Sequence, residues 1–254
     1  MRVENLTLAF GISRYTPGVY RLRKKNAMPY RSEILTTGEY YHVFNRSIAQ
    51  YRIFDNPRNC KRFVQSMRYY QTSEPGARFS KLWKPLESEK GNSLDIAAPL
   101  AAATSERLVD IIGYCLMPTH VHFILKQLKD DGISRFMANI QNSYSRYFNL
   151  KYTRNGPLWG GRFKNILIDS HEYFAHLTCY LHLNPVSAGS VKRPEEWEYS
   201  SYREYCGKVS PKEKICSYDE LLDMSCEEYR RFVEDRIEDQ KELAEIRHLL
   251  LELE

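Results

Sequence analysis

His120 and His122 are the residues whose type and spacing come closest to chemistry. On an extended strand, side chains two apart leave the same face, roughly 7 Å apart at the backbone, so both imidazoles can reach one divalent cation. Val121, Phe123 and Leu125 then fall on the opposite, apolar side. Further along, Tyr180 and Asn184 are four residues apart, the spacing that stacks two side chains on one helix face. A phenol has a reference pKa of about 10 and attacks poorly at neutral pH unless a base or a metal assists it. A divalent metal held by two imidazoles could act as a Lewis acid. Taken singly, the same residues suit a polar strand edge, a core tyrosine and a helix end.

The charge distribution narrows the substrate. The chain of 254 residues has a formal net charge of +5, but residues 218–254 hold 13 acidic and 5 basic side chains, which leaves +13 on residues 1–217. A strongly basic body interleaved with many of the 19 tyrosines suits phosphate contacts and base stacking. The six cysteines form no C-x-x-C pair, which argues against a zinc knuckle or a disulfide framework. No run of 18 apolar residues occurs, and the short apolar stretch at 6–12 lacks a cleavage site, so a cytoplasmic protein is expected. There is no G-x-x-x-x-G-K phosphate loop and hence no sign of a nucleotide cofactor.

The elements that would position these residues follow from periodicity. Residues 38–46 read as a strand, residues 58–70 as a helix opened by Asn56-Pro57, and residues 109–117 as a central strand followed by the histidine-bearing one. A helix begins after Asp130-Asp131-Gly132, with Tyr144 and Tyr147 on its apolar stripe and therefore core residues first. Residues 161–168 read as a further strand. Asp169 and Glu172 have capping-box spacing for a helix ending near Asn184-Pro185, with Tyr173, Phe174, Leu177, Tyr180, Leu181 and Asn184 on the stripe facing the sheet. Asn184 is there either a terminator or a group aimed at the sheet. His176 reads as a surface residue and His182 as a partly buried one. Residues 1–27 read as a basic arm, with Met28 a candidate start; residues 72–107 read as an inserted loop, and residues 206–254 as an acidic helical extension with Leu243, Ile246, Leu250 and Leu253 on its apolar side.

Four stretches occurring in order over residues 28–205 resemble the single-tyrosine HUH transposases of insertion sequences and, more closely, the REP-associated tyrosine transposases of bacteria. They are YYHVFNR at 40–46, MPTHVHF at 117–123, GPLWGGRFK at 156–164 and YLHLNPVSAG at 180–189. The resemblance implies an α+β, ferredoxin-like domain with a central antiparallel sheet, and metal-dependent cleavage and rejoining of single-stranded DNA, at sites containing hairpins, through a 5′-phosphotyrosine. It implies Tyr180 as nucleophile, with His120, His122 and Asn184 as ligands of Mg²⁺ or Mn²⁺; the family often has Gln where this chain has Asn184. Arg162 and Lys164 are candidates to hold phosphate, and Arg46 and Asn45 are weaker DNA-contact candidates. The expected partner is single-stranded DNA, and the expected state a monomer or homodimer. Two alternatives stay open: a catalytically silent hairpin-binding protein, and a metal-dependent phosphodiesterase in which water attacks.

Overall fold

The computed structural model describes residues 34–72, 79, 106–218 and 221–239. The expected basic arm, most of the expected insert and the leucine stripe at 243–253 lie outside the described residues.

Strand β1 (Tyr40–Arg46) leads to helix α1 (Pro57–Tyr70), which starts where Asn56 accepts a hydrogen bond from the Asn59 amide at 3.0 Å and Pro57 presets the first turn. Strands β2 (Val109–Met117) and β3 (His120–Gln127) form a hairpin across Pro118-Thr119. Helix α2 (Gly132–Lys151) follows, then β4 (Lys164–Leu167) and α3 (His171–Ser187). The sheet order is β2-β3-β1-β4 with every neighbouring pair antiparallel. With the chain order βαββαβ, this is the ferredoxin-like split βαβ arrangement.

Period-two alternation divides the sheet into two chemically different faces. Tyr41 and Val43 pair with Leu125 and Phe123 and are buried beneath α1 and α2, where Phe63 and Phe136 meet the Phe123 ring. Tyr144 is buried in this layer, its hydroxyl donating to the Ile53 carbonyl at 2.6 Å, so the expected core role of that ring holds. Gly132 starts α2 against β2: a Cβ there would sit 2.3 Å from the Leu108 carbonyl oxygen, so only glycine allows that approach. The opposite face carries His42, Phe44 and Arg46 from β1 opposite Ile124, His122 and His120 of β3, with α3 lying over the β2 side.

Three local expectations need correction. Helix α3 is capped by Ser170, whose Oγ accepts from the Tyr173 amide at 3.2 Å, rather than by Asp169. It also runs past Pro185 to Ser187. A proline so near the end removes one hydrogen bond without blocking the last turn, and the stop is Gly189, which adopts φ +64° while Ser190 N–H returns to the Pro185 carbonyl. The fourth strand covers only 164–167, because Asn45 Nδ2 donates to the Gly161 carbonyl and Gly160 N–H to the Arg46 carbonyl, which holds the preceding residues as a docked loop.

The described part of the C-terminal segment packs into the same core. Beyond a short helix α4 (Tyr202–Tyr205), Tyr218 stacks on Tyr205 with ring centroids 3.9 Å apart, and helix α5 (Cys226–Glu234) buries Tyr229 and Val233. His182, expected to be partly buried, is fully enclosed: its Nδ1 meets Tyr229 Oη and its Nε2 meets Ser201 Oγ, both at 2.7 Å. Among the described residues no helix is long and apolar enough to cross a membrane.

Candidate metal and nucleophile site

Strand β3 projects His120 and His122 from one face, with ring centroids 5.0 Å apart. Each ring has one nitrogen engaged by a neighbour. His120 Nδ1 lies 3.0 Å from Thr119 Oγ1, and His122 Nδ1 lies 3.0 Å from His42 Nε2. Among the described residues neither Nε2 has a hydrogen-bond partner. A ring held through one nitrogen presents the other in a fixed direction, the usual arrangement for imidazole ligands of metals. Burial pushes the His120 pKa down to about 4, with Arg46 adding to the effect, and it holds His122 well below its ordinary value, with His42, His120 and Arg46 contributing. Both imidazoles are therefore neutral at neutral pH, with lone pairs available.

Helix α3 brings the phenol to the same place. Tyr180 is half-buried and meets His122 edge to face at 6.0 Å between ring centroids; its hydroxyl has no hydrogen-bond partner among the described residues. One turn on, Asn184 holds its Nδ2 buried without a hydrogen-bond partner among the described residues. Amide nitrogen and oxygen are exchangeable assignments, so the flipped rotamer would present an unsatisfied carbonyl oxygen at that buried position. Among the described residues no three His, Cys, Asp or Glu side chains are grouped to hold a metal, so a cation on the two histidines needs a third ligand of another type. An orphaned amide one helical turn from Tyr180, the residue that meets His122, is of the type that requirement and a mixed N/O coordination sphere call for.

The basic candidates separate by face. Arg46 is exposed, lies opposite His120 in the β1·β3 register, and depresses both histidines electrostatically. Lys164 is exposed and pairs with Phe44 across β1·β4, so it shares the histidine face. Arg162 is exposed just before β4. Asn45 belongs to the other face; it is buried, its Oδ1 accepts from Arg46 N and its Nδ2 holds Gly161, which makes it a tether for the loop rather than a surface group.

His42 and Phe44 were not foreseen at this site. His42 is buried with its pKa pushed down to about 4, and Phe44 stacks near both His42 and His122. The signal was present in the YYHVFNR strand, since alternation puts residues 42, 44 and 46 on one face. Finding it required knowing that β1 pairs with β3 in this register.

Residues 90–184 match a family model described as "Transposase IS200 like", a span that includes His120, His122, Tyr180 and Asn184. A protein of Haemophilus influenzae named for the REP-associated tyrosine transposases is 27% identical over 115 residues, covering 41% of this chain and 65% of that protein. The REP-associated tyrosine transposase of Escherichia coli K12 is 28% identical over 99 residues, covering 38% of this chain and 56% of that one. The chain thus spans less than two thirds of the length of either relative. A solved REP-associated tyrosine transposase bound to a REP hairpin superposes with a TM-score of 0.48 at 17% identity, over 79% of this chain and 96% of the other. By the sequence matches the chain is similar to the IS200-like transposases over residues 90–184 and to REP-associated tyrosine transposases over part of its length.

Proposed function

We propose that this protein cleaves and rejoins single-stranded DNA through a covalent link to Tyr180. The observation that carries the reading is the meeting of Tyr180 with His122 across α3 and β3; among the described residues both histidines keep Nε2 free, and Asn184, one turn along α3 from Tyr180, has an unsatisfied amide. Tyr180 Oη attacks the phosphorus, the bond from phosphorus to the 3′ oxygen breaks, and a 5′-phosphotyrosine and a 3′ hydroxyl result. The phenol proton passes to solvent, and the 3′ oxygen takes up one as it leaves. The reverse attack by a 3′ hydroxyl rejoins DNA without further energy input, because the phosphotyrosine keeps the ester activated.

His120, His122 and Asn184 would hold the cation, Mg²⁺ or Mn²⁺. When bound, it supplies Lewis-acid polarisation of the phosphate. His42 and Thr119 fix the two rings so that Nε2 of each is the presented nitrogen. Arg46 and Lys164, on the same face, attract and orient the DNA backbone, and Arg162 stands just before β4. The preference for hairpin-containing DNA follows from resemblance to the REP-associated proteins.

The test is a denaturing-gel assay with Mn²⁺ and labelled single-stranded hairpins taken from DNA flanking the gene. A metal-dependent protein–DNA adduct that is absent in Tyr180→Phe is the expected result. Cleavage without an adduct, undiminished in Tyr180→Phe, would replace this reading by water-dependent hydrolysis. Tight binding with no cleavage of any hairpin would leave a binding protein.

A further inference from the structure

The six cysteines fall into two groups. Cys60, Cys115, Cys179 and Cys216 are buried, and burial pushes their thiols up, to about 12 for Cys60 and for Cys179. Thiols kept protonated and away from solvent are chemically inert. Cys206 and Cys226 differ. Cys226 is exposed at the first residue of α5, and Cys206 is half-buried directly after α4. These two segments meet at Gly207, which turns the chain with φ +66°; a Cβ on it would stand 3.1 Å from Cys226 Sγ and 3.8 Å from Cys226 Cβ. A side chain at 207 would force the segments apart, whereas glycine lets the start of α5 close on the backbone that carries Cys206. The surroundings of Cys206 report the same proximity: burial raises its thiol, Lys208 and Arg230 pull it back down, and Cys226 is near enough to add to the rise.

We propose that Cys206 and Cys226 are a redox pair, which a peroxide closes to a disulfide that fastens the start of α5 to the end of α4. Cys226 is exposed and meets the oxidant first. Its sulfur attacks one peroxide oxygen, the O–O bond breaks, and the leaving hydroxide takes the thiol proton, so a sulfenic acid and a water result. The Cys206 sulfur then attacks the Cys226 sulfur, the S–O bond breaks, and the leaving hydroxide takes the Cys206 proton as a further water. Two thiols are oxidised to one disulfide and one peroxide is reduced to water. Lys208 and Arg230 favour the Cys206 thiolate as it attacks. The bridge has a consequence for the helix that bears Tyr180: α5 already holds α3 through Tyr229 Oη, which lies 2.7 Å from His182 Nδ1, two residues beyond Tyr180. Closing the pair therefore pins α5 over α3. A bridge next to solvent is open to reductants, the behaviour of a regulatory disulfide rather than a structural one.

The test takes the full chain, fully reduced, through a titration with hydrogen peroxide. Remaining thiols are alkylated, the protein is digested without reduction, the peptides are read by mass spectrometry, and Tm is measured in parallel. The expected result is a linked peptide joining Cys206 to Cys226 within one chain, reversed by dithiothreitol. The Tm of the oxidised protein should rise by about 5 °C or more, the scale for a bridge that closes a short loop in a domain of this size. Cys226→Ser, a change at an exposed position, should show neither the link nor the rise, and in Cys206→Ser peroxide should cap Cys226 as a sulfenic acid with no link. The proposal is overturned if wild type keeps both thiols open to alkylation, if Cys226 is capped while Cys206 stays free, or if the link joins two chains. A link within one chain that leaves Tm unchanged would overturn it too, since the bridge would then fasten nothing.

Discussion

His122 and His182 are both buried, neutral imidazoles in contact with tyrosine, yet their ring nitrogens are spent differently. His182 meets Tyr229 and Ser201 through both nitrogens and is fully enclosed. Among the described residues, the His122 nitrogens have one hydrogen-bonding neighbour, His42 at Nδ1, and its ring meets Tyr180 edge to face. Burial and a depressed pKa are therefore shared by a structural histidine and a candidate ligand, and neither property separates them. What separates them is the count of satisfied nitrogens: a ring with both engaged ties elements together, whereas a ring with one left over has capacity for a ligand. His182 joins α3 to Ser201 and α5; His122 joins β3 to β1 and leaves an opening.

Substitution of the two strand histidines has the largest expected effect. His120→Ala with His122→Ala should lower metal-dependent cleavage by roughly a thousandfold or more, because a metal contributes several kcal/mol of charge stabilisation and each 1.4 kcal/mol is tenfold. Affinity for DNA should stay within about threefold, as the basic side chains are untouched. Adduct formation and binding measured in parallel decide this, and cleavage at the wild-type rate would sink the metal assignment. His182→Ala should do the opposite. It removes two buried hydrogen bonds and leaves a cavity where the ring was, costing about 2–4 kcal/mol in urea unfolding, while adduct formation per folded molecule is retained.

The same contrast explains how much was legible from sequence. Strands β1, β2 and β3 and helices α1 and α2 could be read because alternation, 3.6 periodicity and the Asn56-Pro57 start are local signals. His120, His122 and Tyr180 could be named from strand alternation, helix spacing and resemblance. The partners that give them meaning could not. His42 reaches His122 through a strand pairing that joins residues 80 apart, and His182 meets Tyr229 from 47 residues away. Asn45 looked like a surface candidate because its strand position was clear but its face, set by pairing with Val121, was not. The end of α3 was misjudged at Pro185 because proline is a strong local stop, whereas the observed stop at Gly189 depends on the last turn closing around it.

His42→Phe has a smaller expected effect, confined to the orientation of His122. It keeps the stack on His122 but removes the nitrogen that meets Nδ1, so His122 is free to place its proton on Nε2. Mn²⁺ affinity, measured by calorimetry on protein without DNA, should fall about 10–100-fold, the usual cost of losing a group that orients a metal-bound histidine. His42→Gln, able to reach Nδ1 with an amide oxygen, should recover part of the loss. Equal Mn²⁺ affinity in all three proteins would mean that the His42 contact only packs the face.

The smallest expected difference is between the contributions of the two histidines to the pH dependence of stability, measured without metal. His42 is depressed to about 4 and His182 to about 3, in each case by burial, against an ordinary value of 6.5. A histidine depressed in the folded state binds its proton more readily when unfolded, so its contribution is fully present above pH 6.5 and is lost as pH falls toward the folded value. The slope that His42 adds to stability should therefore end near pH 4, while that of His182 should persist toward pH 3. Subtracting the urea-unfolding curves of His42→Gln and His182→Gln from that of wild type, across pH 3 to 7, isolates the two contributions from those of the carboxylates. Identical difference curves would mean that the pair at the β1·β3 seam is sealed as tightly as the one beneath α5. A His42 curve that flattens first would mark the histidine face as the more easily entered of the two, which a site that must admit a cation and a phosphate requires.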